Sequence, residues 1–248
     1  MTARDNVDAQ EIAKFDALAA RWWDTEGDFR PLHDINPLRA NFIDEHSPVA
    51  ERDLVDVGCG GGILAEAMAQ RGARVTAIDM GEAPLAVARL HQLESGLDIS
   101  YRQATAEALA AECPQRFDVV CCLEMLEHVP DPAAVVSACA ALARPGGSLY
   151  FSTINRNPKA FLFAIVGAEH VLRLLPAGTH TYEKFIRPSE LAAWLRGAGL
   201  LLREMTGLSY NPLTRCYRLN PRDVSVNYLL RAERSEEHTS ELQSRMFI

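Results

Sequence analysis

The stretch that decides the fold is Leu54-Val55-Asp56-Val57-Gly58-Cys59-Gly60-Gly61-Gly62-Ile63-Leu64. A short apolar run reaches an acid, then a glycine cluster, then the apolar spacing of a helix. Strand, glycine turn and helix start, in that order, build a ligand site at the carboxyl edge of a parallel sheet. Glycine lets the chain turn sharply and lets a ligand approach the backbone. The helix start offers N–H groups that have no partner within the helix. The spacing argues against a dinucleotide. A G-x-G-x-x-G fingerprint would put its third glycine at position 63, and that residue is Ile.

Outward from this loop the chain alternates. Strands are predicted near 53–58, 74–79, 99–104, 117–123 and 148–154, with helices near 62–71, 82–95, 106–112 and 131–143 between them. The strand candidates are continuous apolar runs, as expected when helices cover both faces of a sheet. Asp131 reads as an N-cap with Pro132 in the first turn, and Pro145-Gly146-Gly147 as a turn before the fifth strand. The pattern predicts an α/β fold, a doubly wound Rossmann-like sheet with right-handed crossovers. A helix over 188–199 and strands near 200–207 and 224–231 follow. Residues 155–187 break the rhythm and read as an insertion.

Upstream, Ile12, Phe15, Leu18, Ala19 and Trp22 share one face of a helix predicted from Asp8 to Trp23. Asp8 reads as its N-cap, with Glu11 completing a capping box. Pro31 and Pro37 argue against a long helix across 29–39, so that stretch is predicted as a linker draped on the domain, with a second helix over 37–46. The division expected from these patterns is 1–46 as N-terminal helices and linker, 47–233 as the α/β domain, and 234–248 as a tail. That tail, from Arg234-Ser235-Glu236-Glu237-His238 onward, matches one reading frame of a sequencing adapter and is expected to be an artefact, with the native end near residue 233.

A net charge of -8 gives nucleic acid no electrostatic reason to bind. No apolar stretch approaches the roughly 18–20 residues of a membrane span, and the charged first thirty residues do not read as a secretory signal. The six cysteines include no C-x-x-C pair and read as buried, reduced thiols of a cytosolic protein.

Asp79 ends the second predicted strand about 20 residues beyond Gly58, the spacing at which an acid bonds ribose hydroxyls; the alternative is a helix cap before Glu82. Asp56 stands where a carboxylate meets a ligand ammonium or braces the loop. With these stand Arg21-Trp22-Trp23-Asp24, Ile35-Asn36-Pro37-Leu38-Arg39, Glu124-Met125-Leu126-Glu127-His128, Phe151-Ser152-Thr153-Ile154-Asn155 and Asn227-Tyr228. On these blocks the chain, from about residue 6 to 230, resembles the bacterial ubiquinone biosynthesis O-methyltransferases, which are class I S-adenosylmethionine-dependent enzymes.

The resemblance implies a seven-stranded sheet with its last strand antiparallel. It implies S-adenosylmethionine contacts at Arg39, Gly58, Asp79 and Leu123, to which the loop reading adds Asp56 and Gly60. A guanidinium suits the methionine carboxylate because its planar fork matches that group. The resemblance also implies a Mg²⁺-type site at Glu124, Glu127 and His128. Spacing of i, i+3 and i+4 would put the three on one face of a helical turn. The imidazole departs from the all-oxygen set magnesium prefers, so manganese, iron or zinc would serve as well. Such a metal would acidify a phenol. Without one, a general base is required, with His128, next to Glu127, and His180 as candidates; His180 reads equally as an exposed loop histidine of the insertion.

The substrate so implied is a polyprenylated hydroxyphenol or catechol, methylated at two steps of ubiquinone synthesis. Residues 159–175 would contact the membrane interface or line a tunnel for the tail; a core helix is the alternative. The implied location is cytoplasmic, peripheral to the inner membrane, with other enzymes of the pathway as partners. The rivals are a methyltransferase for a soluble catechol, and a nucleotide-dependent dehydrogenase or non-catalytic binding module.

Overall fold

The computed structural model describes residues 6–161, 182–211, 214 and 216–236. Its strands are β1 (Asp53–Val57), β2 (Arg74–Asp79), β3 (Ile99–Gln103), β4 (Phe117–Leu123), β5 (Ala143–Ile154), β6 (Leu200–Asn211), β7 (Cys216–Asn220) and β8 (Asn227–Arg234). Its helices are α1 (Ala9–Leu18), α2 (Arg30–His46), α3 (Ile63–Ala69), α4 (Glu82–Ser95), α5 (Ala106–Glu112), α6 (Pro132–Leu142), α7 (Pro158–Ala160) and α8 (Pro188–Gly197). The sheet order is β3-β2-β1-β4-β5-β8-β6-β7. β1 to β5 pair in parallel, while β8 is antiparallel to both β5 and β6. Strand order reverses between β1 and β4, and the crevice at their carboxyl ends is where such sheets bind ligands.

Side-chain alternation divides the core between the two faces. Val55, Val120, Cys122, Leu149 and Phe151 pack with the α6 and α8 layer. Leu54, Val119, Cys121 and Tyr150 pack with the α2 and α3 layer. Both sets are fully buried, which explains the continuous apolar strand runs.

Among the described residues the sheet has eight strands rather than the expected seven. The extra strand, β7, is the return arm of a hairpin on the long β6, paired from Gly207↔Asn220 to Asn211↔Cys216. β5 begins earlier than expected: Ala143 already pairs with Phe117, and Pro145-Gly146-Gly147 forms a register shift within it.

The linker expected over 29–39 is instead part of one helix, α2. Pro31 falls in its first turn, where the missing N–H has no helical partner to lose. Pro37 does sit inside and removes one bond, to the His33 carbonyl. Burial of Ile35, Arg39, Ala40, Phe42 and Ile43 around it outweighs that loss. The first helix ends at Leu18, and a 3₁₀ turn over Ala19–Arg21 carries the chain to the tryptophans.

All six cysteines are free; Cys113 is half-buried and Cys216 exposed rather than buried. The strand expected to end near 231 runs on to Arg234, whose guanidinium donates to the carbonyls of Ala140, Ala141 and Ala143 at the end of α6. The rest of the expected tail, 237–248, lies outside the described residues, as do residues 162–181 of the insertion.

Candidate active site

The carboxyl ends of β1, β2 and β4 open into one cavity, roofed by the N-terminal segment. Arg39, Asp56, Gly58, Gly60, Asp79, Leu123, Glu124 and His128 all line it. Of the nine described residues singled out in the sequence, eight thus meet there and Glu127 does not.

The glycine loop is shaped by its own backbone and by three aromatic or thioether neighbours. Gly58 and Cys59 donate to the Ile78 carbonyl at 2.8 and 3.0 Å, joining the loop to β2. Gly58, Gly60 and Gly62 all adopt positive φ, which side chains resist. A Cβ on Gly58 would run into Met125, one on Gly60 or Gly61 into the Trp22 ring, and one on Gly62 into the Tyr101 hydroxyl.

Asp79 is bound to this loop. Its Oδ2 accepts from Gly60 N–H and its Oδ1 from Gly81 N–H, each at 2.8 Å. Asp79 therefore faces the cavity and holds the Gly81 N–H just ahead of α4, without capping that helix. Burial raises its pKa in spite of these backbone donors.

Arg39, on α2, is 4% exposed. Its Nε has no hydrogen-bond partner, and its Nη2 lies 3.5 Å from Asn36 Oδ1. Burial lowers its pKa while the charges of Glu124 and Asp56 raise it. Asp56 is also buried, and its Oδ2 is unpartnered. Burial pushes its pKa up to about 7, against the pull of Arg39 and with help from Asp79. Unsatisfied buried polar atoms are costly. Here a cation and an anion, each with an unused atom, line the same cavity. That is the complement of an amino acid's carboxylate and ammonium, so the residues fit the methionine end of S-adenosylmethionine.

The acceptor side differs from expectation. Glu124, Glu127 and His128 do not lie on one helical turn. Glu124 has φ +53, and the helical turn is a 3₁₀ segment, Leu126–His128, that begins after it. The carboxylate of Glu124 accepts from Ser152 Oγ at 2.7 Å and from Asn227 Nδ2 at 3.3 Å. Glu127 turns into the sheet, where Oε2 accepts from Thr153 Oγ1 at 2.8 Å; burial and the Glu124 charge raise its pKa. His128 turns the other way, with Nδ1 3.0 Å from Glu11 Oε2 and Phe15 against its ring edge. Among the described residues no three His, Cys, Asp or Glu side chains converge on a cation position. The expected metal set does not fit a divalent ion as arranged, because each donor is already held by a different partner.

Glu11 is the residue that sequence reasoning misplaced. Asp8 does cap α1, accepting from the N–H groups of Gln10 and Glu11. The Glu11 side chain does not reach back to close a capping box. It meets His128, Lys14 at 3.1 Å and Lys184 at 2.9 Å instead. The bond to His128 holds its carboxyl well below the usual carboxylate range, with both lysines adding to this against the cost of burial. Lys184 also reaches Asp8 at 3.1 Å, so the C-terminal end of the insertion is tied to the roof. His180 lies outside the described residues.

Comparison with known proteins agrees with this architecture. A family profile described as "Methyltransferase domain" matches residues 31–204. A ubiquinone biosynthesis O-methyltransferase of Saccharophagus degradans is 67% identical over 235 residues, covering 94% of this chain and 100% of that protein. The chain belongs to the ubiquinone biosynthesis O-methyltransferase family. A second member, from Stutzerimonas stutzeri, is 69% identical over 91% of this methyltransferase and 97% of its own length. Among solved structures, magnesium protoporphyrin IX methyltransferase from Synechocystis PCC 6803 with bound SAH superposes with a TM-score of 0.66 at 20% identity, covering 91% of this chain and 100% of that one. At that identity the likeness concerns the fold.

Proposed function

We propose that this enzyme transfers the methyl group of S-adenosylmethionine to a phenolic oxygen of polyprenylated hydroxyphenols in ubiquinone biosynthesis, at both O-methylation steps. The observation that carries the reading is that one cavity is lined both by the glycine loop with Arg39 and Asp56 and by Glu124 and His128. The near-complete match to relatives named for this pathway supports it.

S-adenosylmethionine supplies an electrophilic methyl on sulfur. Arg39 receives the donor's carboxylate, Asp56 its ammonium and Asp79 its ribose hydroxyls, while Gly58, Gly60 and Leu123 allow close approach. A phenol with a pKa near 10 is a poor nucleophile at neutral pH. His128 takes its proton, held by Glu11 through Nδ1 with Nε2 left for the substrate. The carboxylate at Nδ1 orients the ring and stabilises the imidazolium that forms. Glu124, fixed by Ser152 and Asn227, orients the acceptor hydroxyl, and Glu127 supports it from behind. The roof excludes water, and positioning two reactants in this way removes several kcal/mol of barrier.

A substrate with a lipid tail has to be taken from a bilayer. Among the described residues no helix is long and apolar enough to cross a membrane. Peripheral contact through 159–175, on the cytoplasmic side, is part of this proposal, as is contact with neighbouring enzymes of the pathway. At its described end Phe161 is 42% exposed, while Lys159 is paired with Asp223 and Ser225.

The deciding experiment is a methyl-transfer assay on a prenylated catechol, with and without chelator, alongside Glu127→Gln. Activity that survives chelation supports His128 as the base. Loss on chelation, restored by a divalent ion, refutes it and returns the role to metal. Glu127→Gln is expected to reduce transfer far more than donor binding. Liposome sedimentation of a Phe161→Glu, Phe163→Glu variant tests the membrane face, and unchanged binding would remove that face from the proposal.

A further inference from the structure

Trp22 and Trp23 are adjacent but serve different sides of the glycine loop. Trp22 faces the cavity and covers Gly60 and Gly61. Trp23 turns outward, and its Nε1–H donates to the Gly61 carbonyl at 2.9 Å. Its ring lies flat on the imidazole of His91, centroids 3.4 Å apart and planes within 1°. His91 stands on α4, with Nδ1 2.7 Å from Oε1 of Glu66. A carboxylate only accepts, so Nδ1 carries the hydrogen. Glu66 is 2% exposed in the first turn of α3, and its own N–H donates to the Gly62 carbonyl at 2.9 Å. The contacts therefore run Gly61, Trp23, His91, Glu66, Gly62 and return to the loop where they began. None of Trp23, His91 and Glu66 lines the cavity.

A buried carboxylate is costly unless it is bonded, and apolar packing would fill this space at lower cost. What the polar ring adds is direction. It holds the Gly61 carbonyl outward and the start of α3 in place, while Asp79 holds the Gly60 N–H from within. We propose that Trp23, His91 and Glu66 are positioning residues of the methyl-donor site: they clasp the glycine loop from outside and set the conformation in which it binds S-adenosylmethionine. The clasp joins α3, α4 and the N-terminal roof at one point, so donor affinity depends on side chains that never touch the donor. This inference rests on the reading of the glycine loop as the donor seat.

The test is calorimetric titration of the full-length enzyme with S-adenosylhomocysteine, beside steady-state kinetics. Trp23→Phe keeps an aromatic ring for the stack and deletes the donor to Gly61. It is expected to raise the Kd about fivefold, the worth of one neutral hydrogen bond. Glu66→Ala is expected to raise it by about tenfold or more, and Glu66→Gln, which keeps an acceptor for His91, to return it to within about twofold of wild type. In Trp23→Phe and Glu66→Gln, kcat at saturating donor and KM for the acceptor stay unchanged. A role in stability alone would lower the melting temperature and leave the Kd of the folded protein untouched, and that result overturns the clasp. Trp23→Phe keeps the test open if Glu66→Ala does not fold. Asp79→Ala separates the underlying reading: if that variant binds S-adenosylhomocysteine as wild type does, the loop is not the donor seat and the clasp falls with it. Lost binding there with unchanged Kd in Trp23→Phe overturns the clasp alone.

Discussion

Donor binding is expected to be coupled to one proton, and Asp56 is the group that carries it. Burial pushes its pKa up to about 7 in the ligand-free protein. An ammonium seated at the unpartnered Oδ2 favours the charged form. If binding returns the pKa to about 4, the donor binds the ionised carboxylate and must displace a proton wherever the pH is below about 7. Affinity for S-adenosylhomocysteine, which carries the same ammonium, then falls roughly a hundredfold between about pH 8 and pH 5. Calorimetry in buffers of different ionisation enthalpy reads the proton directly, with release approaching one per site near the lower end. Asp56→Asn should bind more weakly at high pH and lose this slope. The same group acts on folding with a defined sign. Its folded-state pKa lies above the ordinary value of 3.8, so its contribution to stability is full below that value and is lost as pH rises through about 7. Wild-type affinity that is flat across this window, or an identical slope in Asp56→Asn, would refute the assignment of the ammonium to Asp56.

Three further outcomes follow from the same geometry. Gly60→Ala puts a Cβ against the Trp22 ring at a φ of +51; the left-handed conformation alone costs about 1–2 kcal/mol. A melting-temperature fall of several degrees is expected, roughly 2–4 °C per kcal/mol in a chain of this size, with at least a tenfold loss of donor affinity, about 1.4 kcal/mol. Arg39→Met removes the cation facing Asp56 and Glu124, and loss of a charge-assisted bond of about 1.5–3 kcal/mol should weaken S-adenosylhomocysteine binding roughly 10- to 150-fold in a titration. Leu142→Ala, at a fully buried position of α6, should cost about 2–5 kcal/mol in denaturant unfolding, while the folded fraction keeps its donor affinity.

Much of the fold was legible because its signals are local. The bounds of α4 and α5 agree with expectation at both ends, and β2 and β4 likewise, since caps, glycines and apolar runs act within a few residues. The failures share one cause. Pro37 lies inside α2 because long-range burial outweighs one lost backbone bond. β7 was missed because an edge strand needs little apolar signal once β6 offers it a partner. Glu11 read as a cap residue from its spacing to Asp8, and nothing local indicated that His128 and Lys184 would be its partners.

The site divides along the same line. The glycine turn, the missing glycine at 63 and the acid at the end of β2 identify a nucleotide-like donor that is not a dinucleotide, because the loop's backbone conformation is written in its residue types. Which way Glu124, Glu127 and His128 turn could not be read from their spacing. Helical periodicity would have put them on one face, but the positive φ of Glu124 ends that periodicity. Ser152, Thr153 and Asn227 on the neighbouring strands, and Glu11 on the roof, then draw the three side chains apart. Local sequence sets backbone turns and element type; the direction of a buried polar side chain is set by the partner that satisfies it, and that partner arrives only when distant strands and helices pack.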